Sequence, residues 1–144
     1  FRCRKTPLAT RRNAFKRILR QQYRKPHRHE AGSCRSVTAG DLWDVFDYFE
    51  DMSGARDVHY AYNNIAKPLM EENKLSYAEL VGHSSLEPFW FTSYSRHQDF
   101  SYFVQSLTRH AKTIAPRGFA WRRVRYWVHD FSTNPWSDED EPNF

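Results

Sequence analysis

The chain has 144 residues, of which 40% are apolar, 17% aromatic and 27% charged, and its formal net charge is +5. This length and the large aromatic side chains predict one domain with a modest core, and they exclude two independent cores. No apolar run approaches the ~18 residues that a spanning helix needs, so we expect no transmembrane segment. Five glycines and seven prolines also exclude collagen-like and low-complexity chains.

Positive charge is concentrated at the start of the chain. Residues 1–29 hold eleven Lys and Arg side chains and no acidic one, whereas the rest of the chain holds the other eleven basic residues and all 17 acidic ones, a formal charge of −6. This split predicts a basic anchoring arm, residues 1–29, that a polyanion or an acidic protein surface holds in place. The candidate partner-binding residues are Arg2, Arg4, Lys5, Arg11, Arg12, Lys16, Arg17, Arg20, Arg24, Lys25 and Arg28.

The arm is expected to be extended over residues 1–12. Asn13 is a candidate cap for a short helix over 14–24, which Pro26 ends. Residues 26–37 are predicted to form a linker because they combine Pro, Gly and Ser. The apolar side chains of the predicted helix recur at helical spacing, namely Phe15, Ile18, Leu19 and Tyr23.

Two further helices are predicted in the first half of the body. Thr38 and Asp41 resemble a capping box, with Asp where Glu is usual, and the helix that follows is broken at Ser53-Gly54. A second helix is predicted over 56–72, interrupted or bent by Pro68. Residues 75–81 are compatible with a short helix or an edge strand. The predicted buried side chains are Leu42, Val45, Phe46 and Phe49 in the first helix, and Tyr60, Ile65 and Leu69 in the second.

The second half of the body has the pattern of a βαβ unit. Residues 89–92 predict a short buried strand, Asp99 is a candidate helix cap, and residues 124–128 predict a second strand. The helix between them has the clearest periodicity in the chain, with Phe100, Phe103, Val104, Leu107 and Ala111 on one face. A strand, a helix and a strand in this order predict parallel strands joined by a right-handed crossover.

The predicted fold class is therefore α+β or α/β. A single small domain over 30–136 packs helices on a short βαβ unit, between the basic arm and an acidic, solvated tail over 137–144.

Three stretches carry a resemblance to a known family. They are FWFTS at 89–93, DF at 99–100 with Leu107, Arg109, His110 and Ala111, and YWV at 126–128 with Asn134 and Trp136; the LSYAELV segment at 75–81 is similar to the lead-in. They resemble a family expanded in dinoflagellates and related alveolates, with F-V-S-H-W-W-G-E, D-F-V-x-x-L-x-x-H-A and Y-W-V-C-A-Y-A-N-N-Q-W motifs. The resemblance covers residues 75–136 and implies a TIR-like strand–helix–strand layout.

The chain departs from that family where its strands end. Tyr-Ser-Arg-His-Gln at 94–98 stands where the family shows His-Trp-Trp-Gly-Glu, and His129-Asp130 stands where it shows Cys-Ala. Ligands of open α/β sheets bind beyond the carboxyl ends of strands. The resemblance therefore implies a fold retained for its shape while ancestral chemistry was lost, and no TIR nucleotide-hydrolase glutamate can be placed here.

No constellation predicts catalysis, a metal or a cofactor. His97, Asp99, His129 and Asp130 lie near the predicted strand ends, but a surface role is favoured over a metal or acid–base site because no motif spacing and no nucleophile accompany them. Ser93, Ser84, Ser85 and Cys34 have no identifiable base, and Walker and G-x-S-x-G motifs are absent. His27 and His29 are interpreted as exposed or anion-contacting side chains. Cys3 and Cys34 are interpreted as reduced thiols, with one disulfide as the alternative.

The expected function is that of a non-catalytic accessory subunit of a large organellar assembly, held by the arm and by exposed aromatic side chains. The lineage that the resemblance implies has plastids and mitochondria with reduced genomes. It favours a peripheral photosystem I subunit at the thylakoid surface of a plastid, and a chain that begins with Phe is expected to have lost its targeting peptide.

Two alternatives remain. Composition favours a mitochondrial ribosomal protein whose arm contacts rRNA phosphates through Arg4, Lys5, Arg11, Arg12, Lys16 and Arg17. A TIR-like nucleotide enzyme is the third hypothesis. A second basic set, Arg117, Arg122, Arg123 and Arg125, either extends the footprint on a partner or pairs with carboxylates of the body.

Overall fold

The computed structural model describes residues 7–22, 26, 35–53, 55–82 and 89–136. Helices predominate, and they pack on a small mixed sheet of three strands in the order β1-β3-β2. The chain is thus a small α+β protein, as its sequence predicts. The predicted tail over 137–144 lies outside the described residues.

Helix α1 (Leu8–Gln21) begins earlier than predicted. The expectation of an extended segment up to residue 12, with Asn13 as the cap, is wrong for the described residues, because the helix starts directly after Pro7. A proline fits the position before a first helical turn, whose N–H groups have no intrahelical acceptor. Phe15 fixes this helix to the body, with its ring 5.1 Å from Tyr48 and 5.4 Å from Phe49.

A strand lies at the end of the predicted linker. Val37 and Thr38 form β1 (Val37–Thr38), which pairs antiparallel with β3 so that Val37 lies opposite Tyr126. The prediction of a linker through residue 37 is therefore wrong at its end. Val37 is completely buried, and its β-branched side chain suits a strand.

The predicted capping box is confirmed at the start of α2 (Ala39–Tyr48). The hydroxyl of Thr38 accepts the N–H of Asp41 at 3.1 Å, and the carboxylate of Asp41 accepts the N–H of Thr38 at 3.0 Å. The predicted apolar stripe of this helix is buried, and α3 (Glu50–Ser53) follows. Gly40 permits a close approach here, since a Cβ at this position would lie 3.0 Å from the carbonyl oxygen of Arg122.

The predicted helix over 56–72 exists in three continuous pieces. They are α4 (Val58–Ala61), a π-helical segment (Tyr62–Ala66) and α5 (Lys67–Glu71). Pro68 lies in the first turn of α5, directly after the π-helical segment, so the predicted interruption is confirmed. The ambiguous segment 75–81 contains a helix, α6 (Tyr77–Leu80), which a Ser76–Glu79 capping box begins.

The βαβ unit is confirmed. Strands β2 (Trp90–Phe91) and β3 (Arg125–Trp127) are parallel, and α7 (Phe100–Ile114) connects them. All five predicted core residues of α7 are buried. A 3₁₀ segment (Ala120–Arg123) precedes β3, and α8 (His129–Ser132) follows it.

The prediction that β2 is buried is wrong. Trp90 is 52% exposed and Phe91 is 61% exposed, because β2 lies at the edge of the described sheet and only β3 pairs with it there. An apolar run alone does not distinguish a central strand from an edge strand.

The buried core extends from α1 to α8, and between α2 and α7 the rings of Phe46 and Phe100 stack with centroids 5.9 Å apart. In the part of the chain that the structure describes, no helix is long and apolar enough to cross a membrane.

Replacing Phe103 by Ala should lower the free energy of unfolding by about 3–5 kcal/mol, because a large buried ring leaves a cavity. The neighbouring Tyr102 is 64% exposed on the same helix, so Tyr102→Ala is the matched control and should change stability little. Urea denaturation followed by circular dichroism measures both. Equal losses in the two variants would contradict the assigned buried face of α7.

Candidate functional site

Two large aromatic side chains lie in solvent at the edge of the sheet. Trp90 and Phe91 are half or more exposed, although Phe91 stacks on Trp127 at 5.4 Å and Trp90 meets His110 edge-on at 5.0 Å. These ring contacts restrict the orientation of both side chains. Adjacent exposed aromatic residues of this kind are typical of interaction sites.

A groove runs beside this strand. It lies between β2 and α7 and has a volume of about 330 Å³, and its lining includes Trp90, Thr92, Phe103, Leu107, His110 and Tyr126. We refer to it as the β2–α7 groove. Its size falls within the range of pockets that take a small ligand or a few side chains of a partner.

One wall of the groove is a hydrogen-bonded pair of a tyrosine and a histidine. The hydroxyl of Tyr126 lies 2.8 Å from Nδ1 of His110 and 3.4 Å from the carbonyl oxygen of Leu107. Burial raises the pKa of Tyr126 to about 12, so the phenol stays protonated at neutral pH. This wall can exchange hydrogen bonds with a partner, but it supplies no charged phenolate.

A buried carboxylate fixes the loop that leaves β2. Asp130 is 1% exposed and accepts hydrogen bonds from the hydroxyl of Tyr94 at 2.8 Å and from the guanidinium of Arg96, while its N–H donates to that hydroxyl at 3.0 Å. Burial, and then the charge of Asp130, raise the pKa of Tyr94 far above its ordinary value. The hydrogen bond to Asp130 also raises the pKa of Arg96. The network therefore positions the loop and leaves the carboxylate enclosed.

The other residues of the predicted strand-end cluster have separate positions. Asp99 accepts the N–H of Tyr102 at 3.0 Å and caps α7, as predicted. His97 is exposed in a turn, and His129 is exposed at the start of α8 with its ring 6.0 Å from Trp127. Within the described ranges, no three His, Cys, Asp or Glu side chains are arranged to hold a metal ion.

Ser93 is exposed in the loop after β2, and within the described ranges no hydrogen bond joins its hydroxyl to a base. Ser84, Ser85 and Cys34, like Cys3, His27 and His29, lie outside the described residues.

Two described cations of the predicted arm pair with carboxylates of the body. Arg11 contacts Asp51 at 2.6 Å and donates to the carbonyl oxygen of Tyr48, and Nζ of Lys16 lies 2.6 Å from the carboxylate of Glu72. Lys16 itself is only 8% exposed. These charges therefore hold α1 on the chain's own surface.

A third arm cation, Arg12, donates a hydrogen bond to a backbone carbonyl group for which Pro68 supplies no N–H donor. The guanidinium of Arg12 donates to the carbonyl oxygen of Asn64 at 2.9 Å. In a regular α-helix this carbonyl would accept from residue 68, but Pro68 has no N–H. Arg12 thus bridges α1 to the helix that Pro68 interrupts.

The remaining described arm cations point to solvent. Arg17 is exposed, and so is Arg20, whose guanidinium lies 3.8 Å from Glu72. Six candidate residues lie outside the described residues: Arg2, Arg4, Lys5, Arg24, Lys25 and Arg28. Among the described arm cations, Arg17 is the one that a partner can reach without displacing an intramolecular contact, whereas a partner of Arg20 would compete with Glu72.

The second basic set is divided in the same way. Arg122 pairs with Asp44 at 2.6 Å. Of the two roles predicted for this set, Arg122 therefore has the one of pairing with a carboxylate of the body. Arg117 and Arg123 are exposed, and Arg125 is half-buried in β3.

The residue pattern does not identify the β2–α7 groove as a site. The four bulky or β-branched residues at 89–92 indicated a buried strand. The sequence signal that could have located the groove was the position of this run at the start of a βαβ unit. Exposure of that run depends on which strand occupies the edge of the sheet.

No protein-family model, no curated protein and no solved structure matches the chain. The family resemblance of residues 75–136 therefore rests on the residues quoted for it.

Reversing the charge of Lys16 should loosen α1, because Lys16→Glu places a second carboxylate beside Glu72. The midpoint of urea unfolding should fall, and the exchanged pair Lys16→Glu/Glu72→Lys should recover most of it. Arg17→Glu is the control, since Arg17 is exposed on the same helix and should leave the midpoint unchanged. If the Arg17 variant were affected as strongly as the Lys16 variant, the ion pair would not be what holds α1.

The free energy of unfolding should fall between pH 10 and pH 12, because the Tyr126 phenol ionises in the unfolded chain at a lower pH than in the folded one. Burial raises the pKa of this phenol from 10.0 to about 12, so the folded state holds the proton more tightly than the unfolded state. Its stabilising contribution is complete below pH 10 and is lost as the pH rises through 12.

Urea unfolding at a series of pH values in this range tests the effect. Tyr126→Phe should make the pH dependence shallower, whereas Tyr102→Phe, at a side chain that is 64% exposed, should leave it unchanged. An unaltered slope in Tyr126→Phe would contradict the burial of this hydroxyl.

Proposed function

We propose that the protein is a non-catalytic accessory subunit of a multi-subunit assembly, and that the β2–α7 groove with Trp90 and Phe91 is its main contact with a neighbouring subunit. The observation that carries this proposal is the exposure of two adjacent aromatic rings, 52% and 61%, on an edge strand beside a preformed groove. Aromatic side chains of this kind provide much of the binding energy at protein interfaces.

The geometry of the interface suits an apolar partner segment. The ring contacts of Trp90 with His110 and of Phe91 with Trp127 hold both side chains before a partner arrives, which reduces the entropy lost on binding. Tyr126 and His110 also line the groove and can exchange hydrogen bonds with a backbone or a polar side chain. A partner segment with one or two large apolar side chains fits this arrangement.

The polar groups nearest the strand ends support a non-catalytic role. The carboxylate of Asp130 is enclosed by Tyr94 and Arg96, so a substrate cannot reach it without breaking the network. The phenol of Tyr126 remains neutral, and Ser93 has no base among the described residues. These features count against the TIR-like enzyme hypothesis.

For the assembly itself, we propose a peripheral position on photosystem I in a plastid, which the family resemblance favours. The ribosomal alternative depends on arm cations that contact rRNA. Of the described residues named for that contact, Arg11, Arg12 and Lys16 bind the chain itself, and Arg17 is exposed. This distribution of charge favours a protein neighbour over RNA.

An antibody against the protein distinguishes these assemblies when organelle extracts are separated on sucrose gradients. The proposal predicts that the protein sediments with chlorophyll and photosystem I and stays there after ribonuclease treatment. Release by ribonuclease, with sedimentation in an RNA-containing particle, would reject the photosystem assignment in favour of the ribosomal one.

The groove is tested with recombinant protein added back to particles from which the native subunit has been washed. Replacing Trp90 and Phe91 by Ala should reduce rebinding about tenfold or more, as expected for the loss of two aromatic anchors. Tyr102→Ala is the control, because Tyr102 is exposed on α7 but does not line the groove. Undiminished rebinding of the double variant would remove the β2–α7 groove from the interface.

A further inference from the structure

A second groove lies between α2 and the outward face of α7. It has a volume of about 430 Å³, and its lining is Trp43, Gln105, Thr108, Arg109, Lys112 and Thr113. We refer to it as the α2–α7 groove. None of these residues lines the β2–α7 groove, so the two sites are distinct. Its volume is that of a pocket for a small organic ligand.

The groove is positively charged. Arg109 and Lys112 are three residues apart on α7, which places their Cβ atoms about 5–6 Å from each other on one helix face. No acidic residue lines the groove, and within the described ranges neither cation forms an ion pair. The nearby Asp44 is neutralised by Arg122 at 2.6 Å. The ammonium of Lys112 lies 5.1 Å from the centroid of the Trp121 ring, and an anion bound between Lys112 and Arg109 would reduce the repulsion between their like charges.

A buried hydroxyl in the lining has no partner among the described residues. Thr108 is 5% exposed, and its Oγ1 makes no hydrogen bond to that part of the chain. Thr113, on the same helix, instead donates to the carbonyl oxygen of Arg109 at 2.9 Å, which is the usual arrangement for a helical threonine. A buried hydroxyl without a partner is unfavourable, and Thr108 is the lining residue that has this unmet hydrogen-bonding requirement.

A rigid indole forms the other wall. Trp43 is half-buried, and its ring meets Trp121 edge-on at 6.4 Å and Phe46 at 5.7 Å. The close approach at Gly40 brings the 3₁₀ segment that carries Trp121 against α2. The groove thus combines a fixed aromatic surface with two cations on the facing helix, and a planar ring can stack on such a surface.

We propose that the α2–α7 groove binds a small phosphorylated molecule that carries a planar ring, of the nucleoside monophosphate class. The phosphate lies between Arg109 and Lys112, which supply charge-assisted hydrogen bonds, and the ring lies against Trp43. Gln105 lines the same groove, and because its Nε2 donates to the hydroxyl of Ser101 at 2.9 Å, its carbonyl oxygen is the atom that suits a donor on a ring edge or a sugar hydroxyl. This inference is independent of the proposed function, since it uses a different surface and different residues.

Isothermal titration calorimetry of the full chain with adenosine monophosphate tests the proposal. Adenosine lacks the phosphate and inorganic phosphate lacks the ring, so each should bind at least about tenfold more weakly than the complete nucleotide. If the nucleotide bound no more tightly than either fragment, or did not bind, the proposal would be overturned.

Charge-removing variants locate the site. Arg109→Gln and Lys112→Gln should each weaken nucleotide binding about tenfold and leave adenosine binding unchanged, because each removes one phosphate contact. Both residues are exposed, so neither substitution should unfold the chain, and circular dichroism verifies this. Arg117→Gln is the matched control, since Arg117 is an exposed cation outside the groove lining.

Two outcomes of these titrations would reject the proposal. One is unchanged nucleotide affinity in both Arg109→Gln and Lys112→Gln. The other is tight, salt-sensitive binding of a single-stranded RNA by a chain that does not bind the mononucleotide, which would assign this surface to nucleic acid instead.

Discussion

Strand β3 is the element on which the rest of the described structure depends. It has only three residues, Arg125–Trp127, yet it pairs with β1 on one side and with β2 on the other. The antiparallel pairing ties the start of α2 to the sheet, and the parallel pairing places α7 across it. Because β2 has no second neighbour among the described strands, its aromatic residues lie at the edge beside α7.

The same arrangement separates two surfaces of α7. Its apolar face packs against α2 and closes the core, while its flanks border two grooves of different character. The β2–α7 groove is mainly aromatic, and burial raises the pKa of its Tyr126 phenol to about 12. The α2–α7 groove is cationic, because Arg109 and Lys112 have no carboxylate beside them in the part of the chain that the structure describes. Two different kinds of partner can therefore bind to surfaces on the same helix.

Charge in the N-terminal region has a structural use as well as a proposed external one. Arg11, Arg12 and Lys16 hold α1 on the body through two carboxylates and a carbonyl group that Pro68 leaves without its usual donor. A dense basic segment therefore need not be held by an external polyanion along its whole length. Arg17 and Arg20 remain exposed on the same helix, where the proposed partner role can still apply.

The sequence by itself determined the elements whose signals are local: the Thr38–Asp41 capping box, the periodic face of α7, its Asp99 cap and the two strands of the βαβ unit. Helical spacing and capping depend on residues within a few positions of each other, so a linear pattern contains them. Only the tertiary structure decided that Val37 joins the sheet, that Trp90 and Phe91 face solvent, and that Lys16 meets Glu72. Each of these depends on which distant segments become neighbours. Strand order, and an ion pair between residues 56 positions apart, produce no periodic pattern in the sequence.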